Sequence, residues 1–166
     1  MIIFEDKISG DEMLSDSYKM EEVHDGFFYE VKGKWVVAGD VEVDIGANPS
    51  AEGGEDETVD PTQRRVVDVV DGFRLQETGY DKKAFMAYVK PWLAAIAADL
   101  PEDKVAEFKA KAQPAIKFLV SKIKDLQFFT GESMNADGTM CYAYYPEGSG
   151  DPTFLFPVYA MNERKC

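Results

Sequence analysis

The chain carries a single histidine, His24, and any Ser-His-Asp or Cys-His machinery would have to be built on it. It directly precedes the turn dipeptide Asp25-Gly26, and no nucleophile motif points towards it. A lone turn histidine is far more often a surface residue than a catalytic one, given how much else a triad requires. The glycine-rich dinucleotide fingerprint, the P-loop and the HExxH zinc motif are all absent, so those chemistries lack their minimum residues. Carboxylates are plentiful, but a catalytic pair needs burial to separate its two pKa values. The expectation is a protein that is not an enzyme and requires no cofactor.

Metal chemistry has one candidate. Ser133-Met134-Asn135-Ala136-Asp137-Gly138 alternates oxygen-bearing side chains before a glycine, like the start of an EF-hand loop, yet position twelve is Tyr144 and not glutamate. A hairpin turn is the better reading, with Asn135 and Asp137 offering weak calcium binding. The two cysteines, Cys141 and Cys166, form neither a disulfide framework nor a CxxC knuckle, which suits a reducing compartment. The N-terminus lacks a basic, long apolar leader, and no run approaches the roughly 18 apolar residues of a membrane span. A cytoplasmic protein, without membrane insertion, is expected.

Charge narrows the partners. The net charge of -13 and pI near 4.5 oppose nucleic-acid binding, which rests on Lys and Arg displacing phosphate counterions. That charge is unevenly placed. Residues 82–124 hold nine lysines against four acids, a local +5 that leaves -18 for the rest. Lysines opposite an apolar stripe commonly form a solvated face. They would serve equally as a salt-sensitive dock for an acidic partner, with Lys82, Lys83, Lys90, Lys109, Lys111 and Lys117 as candidates.

These residues need elements to carry them. The length of 166 residues, 45% hydrophobic, predicts one domain with its own core. Ile2–Phe4, Phe27–Val31 and Trp35–Val37 are apolar runs between turn residues and predict a meander. Eight acids and no Lys or Arg between Ala38 and Pro61 predict a mobile acidic loop over about 38–63. Arg64–Thr78 has period two, with Val67, Val69, Phe73 and Leu75 on one face, and predicts a long half-buried strand.

A helical hairpin is expected at about 81–124. Phe85, Tyr88, Val89, Trp92, Leu93, Ile96 and Leu100 make one stripe, with Asp81 as N-cap. Pro101 opens the second helix, whose stripe is Val105, Phe108, Ala112, Ile116, Leu119 and Ile123. Pro91 and Pro114 inside these patterns predict a kink or short break at each. Leu126–Phe129, Met140–Tyr145 and Thr153–Tyr159 then return to strands, so the class is α+β.

Ile45-Gly46-Ala47-Asn48-Pro49-Ser50-Ala51-Glu52-Gly53 resembles the first signature of the translationally controlled tumour protein family. Gln127-Phe128-Phe129-Thr130-Gly131-Glu132, with Asp137-Gly138 beyond, resembles the second. Met1–Phe4, Ile8–Met13, Leu75–Thr78 and the final Lys165-Cys166 also match, so the resemblance runs through the whole chain in order.

It implies a twisted β-tent, similar to a Rab release factor, with a projecting helical hairpin. It further implies binding to a Rheb-like small GTPase and promotion of its nucleotide exchange in growth regulation. Glu12 matches the family residue implicated there, and Ser9, Asp11, Gln76, Glu77 and Glu132 are its expected companions. Other implied partners are tubulin or microtubules through the hairpin, translation elongation factors and Bcl-family proteins. The resemblance also implies cytoplasmic and nuclear locations, and a monomer able to form a Cys166-linked dimer. The stretch Val43-Asp44-Ile45 lacks the serine phosphorylated in animal members.

Overall fold

The computed structural model describes residues 1–37 and 65–165. The acidic stretch expected over about 38–63, the first signature within it, and Cys166 lie outside the described residues. The elements in chain order are β1 (Ile2–Asp6), β2 (Glu12–Ser15), β3 (Met20–Val23), β4 (Phe28–Lys32), β5 (Trp35–Val37), β6 (Arg65–Val67) and α1 (Asp68–Phe73). After them come β7 (Gln76–Thr78), α2 (Lys82–Asp99), α3 (Glu102–Ser121), β8 (Gln127–Thr130), β9 (Cys141–Tyr144), β10 (Thr153–Pro157) and β11 (Met161–Lys165). The class is α+β, as expected.

A six-stranded antiparallel sheet, ordered β3-β4-β10-β9-β8-β7, divides the core. Its central strands are apolar on both faces because both are covered. In β10 Leu155 joins the cluster of the helical hairpin, while Phe154 and Phe156 point to the opposite cluster. Tyr142 and Phe128 likewise face the hairpin, whereas Cys141, Ala143 and Phe129 face away. The second side is closed by the three-stranded sheet β11-β1-β2 and by α1. A strand buried on both faces reads as a continuous apolar run, which is how Thr153–Pro157 reads.

Turn chemistry behaves as its residues require. Between β3 and β4 the Phe27 N–H reaches the His24 carbonyl at 3.0 Å, and Asp25 and Gly26 both take positive φ, the geometry of a type I′ turn. Asp81 caps α2, its carboxylate accepting the Ala84 N–H at 2.7 Å. Pro101 lies one residue outside α3, in the cap position, where its carbonyl accepts the Lys104 N–H at 2.8 Å.

Two expectations are corrected. The expected strand over Arg64–Thr78 is β6, then the six-residue helix α1, then β7. Val69 and Phe73 are four apart, a spacing that shares a face in a helix as well as in a strand, so alternation could not choose between them. At the start of the helix Asp68 Oδ1 accepts the Val69 N–H at 2.7 Å and, from across the fold, the Lys34 N–H at 2.9 Å, and Arg74 ends the helix in the left-handed region at φ 55°.

The second correction concerns the prolines. Of the kink or short break expected at each, the break does not occur: both helices run on through Pro91 and Pro114. Each proline frees the carbonyl four residues earlier, on Ala87 and Ala110, and all four of these residues are exposed, so water can satisfy the carbonyls.

Candidate functional site

Asp11, Glu12 and Glu132 come from the β1–β2 turn, the start of β2 and the segment after β8, and they line one polar cleft of about 460 Å³ with Gly10, Gly72, Phe73 and Arg74. Three of the six GTPase-contact candidates are thus brought together. Gln76 shares an adjoining hollow with Glu132 and Arg74, and Glu77 on the sheet-edge strand β7 accepts from Gln127 Nε2 at 3.4 Å. Ser9 turns inward instead.

Each carboxylate has a defined position. Asp11 Oδ2 accepts the Ser133 hydroxyl at 2.6 Å and the Ser133 N–H at 3.2 Å. A Cβ on Gly131 would lie 2.4 Å from that oxygen, so glycine is required for this approach. Glu12 stands opposite Glu5 across the β1–β2 ladder, a like-charge pairing that is unfavourable alone. Arg164 on β11 offsets it, donating from Nε to Glu5 at 2.8 Å and from Nη2 to Glu12 at 2.7 Å. Arg74 Nη1 donates to Glu132 at 3.0 Å, and this bond raises the guanidinium pKa further above its already high value.

Beneath the cleft lies a buried brace. Asp6, only 2% exposed, accepts four hydrogen bonds: Ile8 N–H at 3.0 Å on Oδ1, and on Oδ2 the Ser9 hydroxyl at 2.6 Å, Ser9 N–H at 3.2 Å and Thr139 N–H at 2.9 Å. Ser9 Oγ in turn accepts the Asp11 N–H at 3.2 Å. Thr139 Oγ1 accepts Trp92 Nε1–H at 3.0 Å, and the Tyr88 hydroxyl donates to the Gly138 carbonyl at 2.7 Å. One network therefore ties helix α2 to the turn that presents Asp11 and Glu12.

The lysine candidates divide. Lys82, Lys90, Lys109 and Lys117 line an open groove of about 1250 Å³ between α2 and α3. Lys111 is elsewhere, 3.8 Å from Glu107, which also accepts the Tyr159 hydroxyl. That hydroxyl, more than any other group, holds the Glu107 carboxyl below the usual range. Lys83 is exposed and outside the groove.

At the calcium candidate, Asn135 Oδ1 accepts the Asp137 N–H at 2.9 Å and the Asn135 carbonyl accepts the Gly138 N–H at 3.0 Å, an Asx-stabilised turn. Among the described residues there is no group of three or more His, Cys, Asp or Glu arranged to hold a metal. His24 packs its ring 4.4 Å from that of Phe118, and partial burial lowers its pKa. Cys141 is fully buried, which pushes its thiol far up and leaves it a packing residue. No helix among the described residues is long and apolar enough to cross a membrane.

Asp6, Arg74 and Arg164 were not singled out in the sequence. Asp6 carried a signal, an acid ending an apolar strand just before a turn. Arg164 carried none, because the polar run Met161–Lys165 shows no alternation.

The family model for translationally controlled tumour protein matches residues 1–161. The translationally controlled tumor-associated protein of Schizosaccharomyces pombe is similar in structure with a TM-score of 0.80, at 35% identity over 100% of both chains. The translationally controlled tumor protein of Caenorhabditis elegans has a TM-score of 0.67 at 33% identity, over 100% of this chain and 99% of its own. A match of this extent, together with the sheet and helical hairpin common to these structures, shows that the chain belongs to the translationally controlled tumour protein family, whose members are regulatory proteins and not enzymes.

Proposed function

We propose that the chain regulates a Rheb-like small GTPase by binding it at the Asp11–Glu12–Glu132 cleft and promoting nucleotide exchange. The observation that carries this reading is the convergence of the neighbouring Asp11 and Glu12 with the remote Glu132 on one solvent-facing cleft, the Asp11 turn being braced by the Asp6–Ser9–Thr139 network. Exchange needs no covalent chemistry: a factor that binds the nucleotide-free partner more tightly shifts the population towards it. A phosphate-binding loop that has lost its nucleotide leaves a lysine and backbone N–H groups without their anion, and a carboxylate is the side chain able to substitute. Release of a fluorescent guanine nucleotide, measured with and without the protein, tests the proposal. Acceleration that disappears in Glu12→Ala is expected; no acceleration, with undiminished binding by Glu12→Ala, would refute it.

A second reading, association with tubulin or microtubules, is supported by the lysines along the hairpin groove. Co-sedimentation across a salt series tests it, since exposed charges are screened beyond about 8 to 10 Å at physiological salt. Calcium enters as a weak ligand of the 133–138 turn. Asp137 is the one carboxylate of that turn beside Asn135, whereas calcium takes about six to eight oxygens. Titration calorimetry giving no heat with calcium removes this part. Elongation factors and Bcl-family proteins are further proposed partners, and the cytoplasm the proposed location.

A further inference from the structure

Away from the cleft, the hairpin groove whose lysines support the tubulin reading has a composition of its own. Its floor is apolar and incompletely covered: Met86, Leu93 and Ala97 from α2, and Val105 and Val120 from α3, are only partly buried. Four lysines border it, and no Asp or Glu does. The acids of the hairpin are placed elsewhere: Asp99 pairs with Lys7 at 3.2 Å, Glu102 and Asp103 sit at the start of α3 by the connection, and Glu107 turns to Tyr159. Among the described residues, none of the four groove lysines makes an ion pair with another described residue.

We propose that this groove is the docking site for a partner's amphipathic helix, its apolar stripe seated on the floor and acidic residues flanking the stripe on both sides. The dimensions fit a helix. The α2 wall runs from Lys82 to Ala98, a separation of 16 positions and so ~24 Å at about 1.5 Å per residue. The cavity exceeds the roughly 300 to 1,000 Å³ of small-molecule pockets, which favours a secondary-structure element over a metabolite. The charges repeat: Lys82 and Lys90 on one wall, Lys109 and Lys117 on the other, are each eight residues apart, ~12 Å along the axis. Acids two turns apart on an incoming helix match that interval, and an i, i+3, i+4, i+7 stripe between them matches the floor. Complementary charge commits the choice to an acid-flanked helix over a basic one.

This surface is distinct from the GTPase cleft, so its failure leaves that reading standing. The probe is a labelled synthetic helix of about 16 residues, ~24 Å long, with leucines on the stripe and glutamates on its flanks, titrated with the full chain by fluorescence anisotropy. Two controls accompany it, a scrambled peptide with the same charge and a peptide with lysine for glutamate. Both controls are expected to bind at least tenfold more weakly. On the protein, Lys90→Glu combined with Lys109→Glu, and separately Ala94→Trp, which fills the groove from an exposed position, should each weaken binding about tenfold or more. Circular dichroism confirms that the variants are folded, and the exposed charge reversals keep the test decisive if tryptophan is not tolerated. Equal binding by the scrambled or the lysine peptide overturns the proposal, as does indifference to both protein changes. Self-association abolished by Ala94→Trp, or binding to anionic vesicles without binding to the peptide, gives the groove to another occupant and overturns it equally.

Discussion

Asp6→Asn perturbs the brace under the cleft with the smallest change of shape available. The asparagine oxygen can face the three donors that Oδ2 now receives, from Ser9 Oγ, Ser9 N and Thr139 N. Its amide nitrogen must then face the Ile8 N–H, placing donor against donor where Oδ1 accepts at 3.0 Å. One bond to a charged acceptor is lost, about 1.5 to 3 kcal/mol, and the remaining three lose their charge assistance, so a cost of roughly 2 to 4 kcal/mol follows. For a chain of this length that is a fall in Tm of roughly 5 to 15 °C. Urea denaturation at neutral pH, with the m-value checked for constancy, measures it directly. A double-mutant cycle with Ser9→Ala should give a coupling of about 0.5 to 3 kcal/mol, because Ser9 and Asp6 share a hydrogen bond. A stability within about 0.5 kcal/mol of the parent for Asp6→Asn would refute the reasoning, since it would mean that a buried carboxylate with four donors contributes nothing beyond its shape.

Three further outcomes are expected. Gly131→Ala places a Cβ 2.4 to 2.8 Å from three atoms of Asp11, so it should displace that side chain from Ser133, destabilise by about 1 to 3 kcal/mol and impair GTPase binding as well; thermal melts and the nucleotide-release assay report the two effects. Trp92→Phe removes the buried donor to Thr139 and some packing, and should cost roughly 1 to 3 kcal/mol by denaturation. Burial lowers the His24 pKa from its ordinary 6.5, so the unfolded state binds more protons; stability should be unaffected by this group above 6.5 and fall as pH drops through and below it. The urea midpoint of His24→Asn, a residue tolerant of the φ of 54° found there, should depend less steeply on pH across that window than the parent's.

How legible the molecule was depends on whether each element carries its own pattern. The hairpin helices did, because Phe85, Tyr88, Trp92, Ile96 and then Phe108, Ala112, Ile116 and Leu119 repeat at helical spacing, and each is buried. Strands β4, β8, β9 and β10 were readable as apolar runs. Met161–Lys165 was not: after Met161 its residues are exposed, and it is a strand only because its backbone pairs with β1. Met20–Val23, at the edge of the large sheet, is unreadable for the same reason. Arg64–Thr78 failed differently, its four-residue spacing satisfying two periods at once.

By itself the sequence determined the α+β class, the family, the absence of the familiar catalytic motifs and the separation of an acidic body from a lysine-rich hairpin, because all of these reside in local pattern or composition. The tertiary structure alone decided that Asp11, Glu12 and Glu132 share a cleft, that Arg164 bridges Glu5 and Glu12 from the far end of the chain, and that four lysines border one groove while Lys83 and Lys111 do not. Those juxtapositions arise from strand pairing and helix packing across large sequence separations, where the pattern of a single segment says nothing about which residue it will meet.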